Sequence, residues 1–442
     1  MRIAVIGTGI SGNVAAWALS PSYEVVVYER RDRPGGHSAT VDIDYDGAPM
    51  SVDTGFIVYN TLNYPHLTAL FDTLGVETEG SDMSFSVSLE GGKLEWSGDG
   101  LRAIFAQKRN LASPSFLTML TEILRFNKTA KADLAGGRLK GLNLGDYLDE
   151  KRFTKRFIGH YIIPMGAAIW STPSSRILDF PAETFIAFFD NHRLLQFNQS
   201  TWRTVRGGSR SYVEKMVARY RHNLRLSSPV KAIERENGRI TVIDGKGDRD
   251  TFDHLIIATH SDQARAILGG AASEREHAAL SRIPYRENRV FLHRDPKLMP
   301  RRKRVWCSWN FMTWSDQNGP CAKTGALESD GEDNVTVSYW MNRLQNLDRS
   351  RPVFVSLNPP FEPDPDLTFG RFLYDHPQYD AEALKGQVML KALQGERNTW
   401  FCGAYHGHGF HEDGLSSGLE VVRALGGTIP WERDRRIAEA AE

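Results

Sequence analysis

Cysteine is scarce in this chain of 442 residues: Cys307, Cys321 and Cys402 stand far apart, with no CxxC spacing. That argues against a disulfide framework or a cysteine zinc site and makes a reducing compartment, most simply the cytoplasm, the expectation. An excess of charge of either sign is also missing. Lys plus Arg and Asp plus Glu both number 54, so no overall field draws the chain to nucleic acid. Long hydrophobic runs are absent too. The most apolar stretch, 157–170, contains His160 and Pro164 and falls short of the roughly 20 residues a membrane-spanning helix needs. Residues 1–7, MRIAVIG, run straight into a buried-strand pattern, leaving no room there for the basic and apolar regions of a signal peptide. There is no internal repeat or low-complexity tract. What the length does allow is two packed domains with a large ligand between them.

An apolar run at 3–6, a glycine cluster, a helix of small residues over 13–19 and a second apolar run at 25–28 make one βαβ opening. After about residue 80 the texture changes to amphipathic stretches such as 116–126 and 180–189. Strand alternation returns over 224–243, where ENG at 236–238 predicts a hairpin turn, and a buried run follows at 255–258. These switches predict an α/β protein: a Rossmann-type nucleotide domain, discontinuous in sequence, over 1–80, 201–274 and 395–442. An α+β substrate domain over 81–200 and 275–394 is intercalated within it. The polar loop 315–333 is the expected mobile insertion.

Gly7, Gly9 and Gly12 form GxGxxG directly after a strand and at the mouth of a helix, with Ser11 inside the motif. In that context Gly7 permits the tight turn, Gly9 lets backbone N–H groups approach a pyrophosphate, and Gly12 allows close helix packing. The helix N-terminus then faces the phosphates with its positive dipole end. Glu29, followed by Arg30, ends the second strand, where a carboxylate accepts both hydroxyls of an adenosine ribose. Gly35 and Gly36, with His37 and Thr40 close behind, add a second set of backbone donors. This suits a pyrophosphate that continues into a ribityl chain, and so FAD in preference to NAD.

With this arrangement the sequence resembles the flavin amine oxidase superfamily, which includes monoamine oxidases, protoporphyrinogen oxidases and phytoene desaturases. Further matches fall in that family's order: Asp53, Thr54, Gly55 and Phe56; then Pro229 and Val230; then 256–259 with Ala258 and Thr259. The last is Gly403 followed by Glu412, Asp413, Gly414, Leu415, Ser417 and Gly418. The resemblance implies FAD, with the last motif bringing a helix N-terminus to the flavin ring; because His37 belongs near the pyrophosphate and Cys402 lies outside the motif that carries a cysteinyl flavin in monoamine oxidases, non-covalent FAD is expected. There are departures. His37 stands where many relatives have arginine, Ala404 and Tyr405 replace the segment that carries a glutamate, and His411 replaces an aromatic cage residue. An amine substrate is therefore not expected.

Stretches 202–209, 292–310, 337–359 and 401–418 are similar to one bacterial branch. Its members are associated with methyltransferases resembling cyclopropane fatty acid synthases and with modification of phospholipid acyl chains. The branch implies a lipid or fatty acyl substrate and a functional partnership with a lipid methyltransferase. Apolar content at 110–200 and 285–360 fits an acyl tunnel, though most of it is expected to be ordinary core. Arg301, Arg302, Lys303 and Arg304 beside Trp306 and Trp309 suit an anionic headgroup at the inner face of a membrane, against a solvated loop as the plainer reading.

Chemistry is expected from Tyr405, His406, His408 and His411, crowded into the glycine-rich turn that the resemblance puts beside the flavin. Imidazoles move protons near neutral pH. His411 is the first candidate, with His406 and Tyr405 beside it, Tyr59 on the flavin face and Tyr339 on the substrate side. Read alone, the three histidines also fit zinc, but they lie inside a flavin motif. The function expected is an FAD-dependent oxidoreductase taking a hydride from an unsaturated acyl chain, with oxygen or another acceptor completing the cycle. A double-bond isomerase without net redox, an amine oxidase or carotenoid desaturase, and a non-catalytic lipid-binding protein are the alternatives.

Overall fold

The apolar run at 3–6 becomes the strand Arg2–Ile6, the centre of a five-stranded parallel sheet. Its order is Leu224–Arg225, Glu24–Tyr28, Arg2–Ile6, His254–Ile257, Thr399–Phe401. The computed structural model describes residues 1–170, 172–192, 194–195, 201–314 and 336–432; the loop expected at 315–333, with Cys321, lies outside them. Both faces of the sheet are covered, so its strands read as near-continuous apolar runs rather than as alternation. Helix Ile10–Leu19 lies on one face with all of its residues buried. It crosses helix His411–Ala424 at Gly418, where an added Cβ would come within 2.6 Å of the Ser11 carbonyl oxygen and of Val14. The ENG turn is present: strands Val230–Glu236 and Arg239–Asp244 pair antiparallel around Asn237 and Gly238, both at positive φ.

The second layer is a seven-stranded sheet. Its order is Thr368–Pro377, Tyr285–His293, Phe354–Leu357, Thr336–Trp340, Trp309–Met312, Phe85–Leu89, Leu94–Ser97. All neighbours are antiparallel except Trp309–Met312 with Phe85–Leu89. The two stretches expected to form the substrate domain thus meet in one sheet. Against it lie helices Pro114–Ala135, Ile163–Trp170 and Ala182–Asn191, closing on Phe116, Phe126, Phe157, Phe185 and Phe189. The apolar stretch 157–170 is helical but opens into a wider turn over Ile158–Ile162 just before Pro164. A proline has no N–H to donate back along the helix, and the wider turn absorbs that loss. Among the described residues no helix is long and apolar enough to cross a membrane.

Helices Glu274–Leu280 and Ala381–Ala392 bury Ala279, Leu280, Ala383 and Leu390 together with Ile6, Tyr28 and Leu255. They cover the nucleotide sheet, although both lie in the stretch 275–394 or at its edge.

Asp53 joins the layers. Fully buried, it accepts hydrogen bonds from Thr40 Oγ1 at 2.6 Å, Ser209 N at 3.0 Å, Ser209 Oγ at 2.8 Å and Gln345 Nε2 at 2.9 Å. Its own N–H donates to Gln345 Oε1 at 2.9 Å. Replacing Asp53 with alanine strands these donors in the interior, and a loss of about 3 kcal/mol is expected. Chemical denaturation checks this; an unchanged unfolding midpoint would contradict it.

Candidate active site

Between the two layers runs a cavity of about 680 Å³. One end is made by the glycine loop. Gly7 has φ +99°, and a Cβ there would stand 2.8 Å from the Ala258 carbonyl oxygen; a Cβ on Gly12 would overlap the Gly7 carbonyl. These clashes are the physical content of the motif, since only glycine closes the turn against the neighbouring strand. A Cβ on Gly9 would meet nothing within 4 Å, and as N-cap it provides no side-chain acceptor. The first-turn N–H groups of helix Ile10–Leu19 are thereby left for an anion. Gly7, Gly9, Ser11, Glu29, Arg30, Val230, Ala258 and Thr259 all line this end.

Glu29 is more committed than expected. One carboxylate oxygen accepts from Thr8 N at 3.0 Å and from Thr8 Oγ1, and the other from Arg31 N at 2.9 Å. With about four acceptor positions on a carboxylate, there is room for one ribose hydroxyl rather than two.

In the middle stretch Gly36, His37, Thr54, Gly55 and Phe56 line the cavity. A Cβ on Gly36 would lie 3.0 Å from Gly9 Cα, so His37 follows directly on the pyrophosphate turn. Its ring lies 5.0 Å from Tyr374 and 5.8 Å from both His260 and His376; His260 stacks on Tyr285 at 4.5 Å. His37 Nε2 and His260 Nδ1 are buried without a protein partner. Burial pushes His260 and His376 down to about 4, and burial with the adjoining imidazoles holds His37 well below its usual range. His260 and His376 carry no motif in the sequence and escaped it.

Opposite stands the closing turn. His411, the first residue of helix His411–Ala424, stacks on Phe56 at 3.9 Å and lines the cavity. Its Nε2 lies 2.6 Å from Tyr212 Oη and 3.3 Å from Ser38 Oγ, and those two hydroxyls bond each other. Burial pushes His411 down to about 3 and the Tyr212 phenol up. Tyr405 and Gly403 also line the cavity, the Tyr405 hydroxyl buried without a partner. At the far end Tyr339 meets Trp309 edge-on at 4.9 Å.

Other expected site residues are placed elsewhere. Tyr59 is buried in the core, edge-on to Phe71 at 5.2 Å, and does not line the cavity. His406 packs on Tyr405 at 4.7 Å and faces Lys391, again off the cavity. Glu412 accepts from His66 N at 2.8 Å and Leu67 N at 2.9 Å, capping helix Pro65–Leu74. Asp413 accepts from His408 N at 3.0 Å and Phe410 N at 2.9 Å, which holds the glycine-rich turn. Gly414 packs against Ile10 and Leu415 is core. Gly12 and Gly35 likewise shape the backbone without lining the cavity. Among the described residues no group of three His, Cys, Asp or Glu is placed to hold a metal.

The far end is apolar: Met83, Phe85, Met165, Ile169, Trp170, Phe188 and Trp309 form its wall. Glu29 and Asp375 are the lining carboxylates among the described residues, the first at the glycine loop and the second facing His260. Cys307 and Cys402 are buried and neither lines the cavity; burial pushes the Cys402 thiol up to about 12.

The glycine cradle, the open helix N-terminus and the orphaned imidazole nitrogens fit an elongated dinucleotide. The sequence profile described as flavin containing amine oxidoreductase matches residues 10–351. The chain belongs to that family. This flavin amine oxidoreductase is an FAD-dependent oxidoreductase. No curated protein matches it in sequence. Among solved structures it is similar to a CLA-producing fatty acid isomerase from P. acnes, with TM-score 0.66, 16% identity and coverage of 96% of this chain and 98% of that one. It is also similar to a putrescine oxidase bound to putrescine, with TM-score 0.67, 15% identity and coverage of 96% and 99%. For cyclohexylamine oxidase from Brevibacterium oxydans IH-35A the values are 0.63, 15%, 96% and 98%. At such identities the likeness is one of fold.

Proposed function

We propose that this flavin amine oxidoreductase takes a hydride from an unsaturated fatty acyl chain carried on a phospholipid. The observation that carries the reading is the far end of the cavity, walled by Met, Ile, Phe and Trp side chains with no carboxylate among them. An ammonium ion taken into such a wall meets no counter-charge and pays its full desolvation, whereas a hydrocarbon chain is stabilised by the same surface. Handling of a fatty acid by the structurally similar isomerase is consistent with this reading.

Bound FAD supplies the hydride acceptor, and an allylic C–H is the weakest such bond in an unsaturated chain. His411 takes the proton lost from the adjoining carbon at Nδ1, the ring nitrogen not engaged with Tyr212 and Ser38. Tyr212 and Ser38 fix the ring and Phe56 holds its face. The apolar wall keeps water from the reacting carbons, with Tyr405 and Tyr339 facing the same space.

Anaerobic mixing with phospholipids bearing monounsaturated chains is expected to bleach the flavin absorbance. An unchanged spectrum across chains of varied length and double-bond position would sink the proposal. A product with its hydrogen count unchanged, formed without any electron acceptor, would replace oxidation by isomerisation at the same site.

A further inference from the structure

The charges of this chain balance overall, yet one face of the substrate layer is segregated. Leu101 is 73% exposed, Leu111 56%, Leu124 52% and Leu117 40%. Single exposed leucines are unremarkable on a soluble protein; here they follow one another along a connected surface. Helix Leu101–Ile104 leads into the turn Lys108–Ala112, which joins helix Pro114–Ala135 through its Ser113 cap. On that helix Leu117, Thr121, Leu124 and Lys128 are spaced to share one exposed face.

The charges around these leucines are of one sign. Arg102, Lys108, Arg109, Arg125 and Lys128 are exposed, and from 100 to 132 Glu122 is the one acid. It is buried, accepting from Thr154 N at 2.9 Å and pairing with Arg125 at 3.4 Å. The turn Lys303–Val305 packs against helix Leu101–Ile104 and so brings Arg301, Arg302, Lys303 and Arg304, all exposed, to the same face. Glu95 beneath them is buried and taken up by Arg302 at 2.7 Å. At the rim Asp99 pairs with Arg343. Among the described residues, Arg102, Lys108, Arg109, Lys128, Lys303 and Arg304 form no ion pair.

Cations ringing exposed leucines are complementary to a surface that is anionic outside and apolar beneath. A nucleic acid offers the charge but no apolar phase for the leucines. We propose that the face built by residues 101–128 and 301–304 docks on an anionic phospholipid bilayer. On its inner side the same helical layer buries Phe116 and Phe126 in the core that includes Trp170, a residue of the cavity's apolar wall. A docked chain is thus one helix layer from the cavity.

The surface stands on its own composition, independent of the acyl reading, and its test uses lipid that cannot react. FAD-loaded protein is sedimented with vesicles of saturated phosphatidylcholine, with and without phosphatidylglycerol. Binding to the anionic vesicles, reversed by high salt, is expected. Leu101→Asp combined with Leu111→Asp should weaken it by at least about tenfold. Both positions are exposed, so the flavin spectrum should be retained. Failure of the wild type to bind, or equal binding by the double variant, overturns the proposal. So does a concentration-dependent dimer dissolved by the same substitutions, since the face would then serve a second copy. Bleaching by unsaturated lipid dispersed in detergent tests the substrate separately.

Discussion

His411→Phe protein should purify with its FAD and reduce it about two to four orders of magnitude more slowly with an unsaturated lipid, the range spanned by loss of a positioned proton carrier. The substituted ring keeps the stacking on Phe56 that His411 makes at 3.9 Å, while both imidazole nitrogens disappear. Tyr212→Phe removes the hydroxyl that orients the ring and bonds Ser38 but leaves both imidazole nitrogens, and should cost less. The pH profile distinguishes the role further. A base works unprotonated, and burial holds His411 down to about 3. The reduction rate should therefore be level above about pH 5 and fall only as pH approaches 3, because just below the pKa the base is lost. Stopped-flow bleaching measures both effects. A His411→Phe rate equal to wild type removes the residue from the chemistry.

The second large effect is on cofactor affinity. In the free protein His37, His260 and His376 are held uncharged by burial. A bound pyrophosphate brings negative charge beside them and raises their pKa values, so FAD binding takes up protons. Arg30 and Arg31 line the cavity beside the cluster and oppose that uptake, Asp375 facing His260 favours it, and Tyr285, Tyr374 and His411 adjoin it. Affinity should rise as pH falls from about 7 toward about 4, where His260 and His376 take up protons even without FAD, by up to about tenfold per pH unit for each imidazole that gains a proton on binding. His37→Arg supplies a permanent cation and should bind FAD with a flatter dependence. Titration of FAD into deflavinated protein, followed by fluorescence quenching, reads this directly. Equal dissociation constants across that range would refute the linkage.

Legibility in the sequence depends on how local the constraint is. The glycine loop, the near-continuous strands of the parallel sheet and the ENG hairpin were legible because each is dictated within a few residues. Tyr59 was misassigned for an equally local reason. On strand Val58–Asn60 neighbouring side chains point to opposite faces, so Val58 lines the cavity and Tyr59 turns to Phe71. In the short turn Ala404–His406 successive side chains are rotated by about 120°, so Tyr405 lines the cavity while His406 packs on it from outside. Glu412 looked like a cofactor residue because the helix it caps, Pro65–Leu74, is more than three hundred positions away. His260 and His376 escaped because one ends a strand-to-helix turn and the other lies on an edge strand of the second sheet. The layer to which helices Glu274–Leu280 and Ala381–Ala392 belong is likewise set by tertiary packing, on which amphipathic pattern alone is silent.

The order of strands in the parallel sheet bears on how the protein is made. Arg2–Ile6 finds its first neighbour, Glu24–Tyr28, soon after it emerges, but the other, His254–Ile257, comes much later and Thr399–Phe401 later still. At ribosomal speed the interval between the first strand and the last is on the order of 20 to 80 s. Through that time the glycine loop exists without Gly403, Tyr405 and His411 across from it. The cavity closes only when helix His411–Ala424 settles on helix Ile10–Leu19. Cofactor loading therefore belongs to the end of synthesis, and a nascent chain halted before residue 399 should emerge colourless.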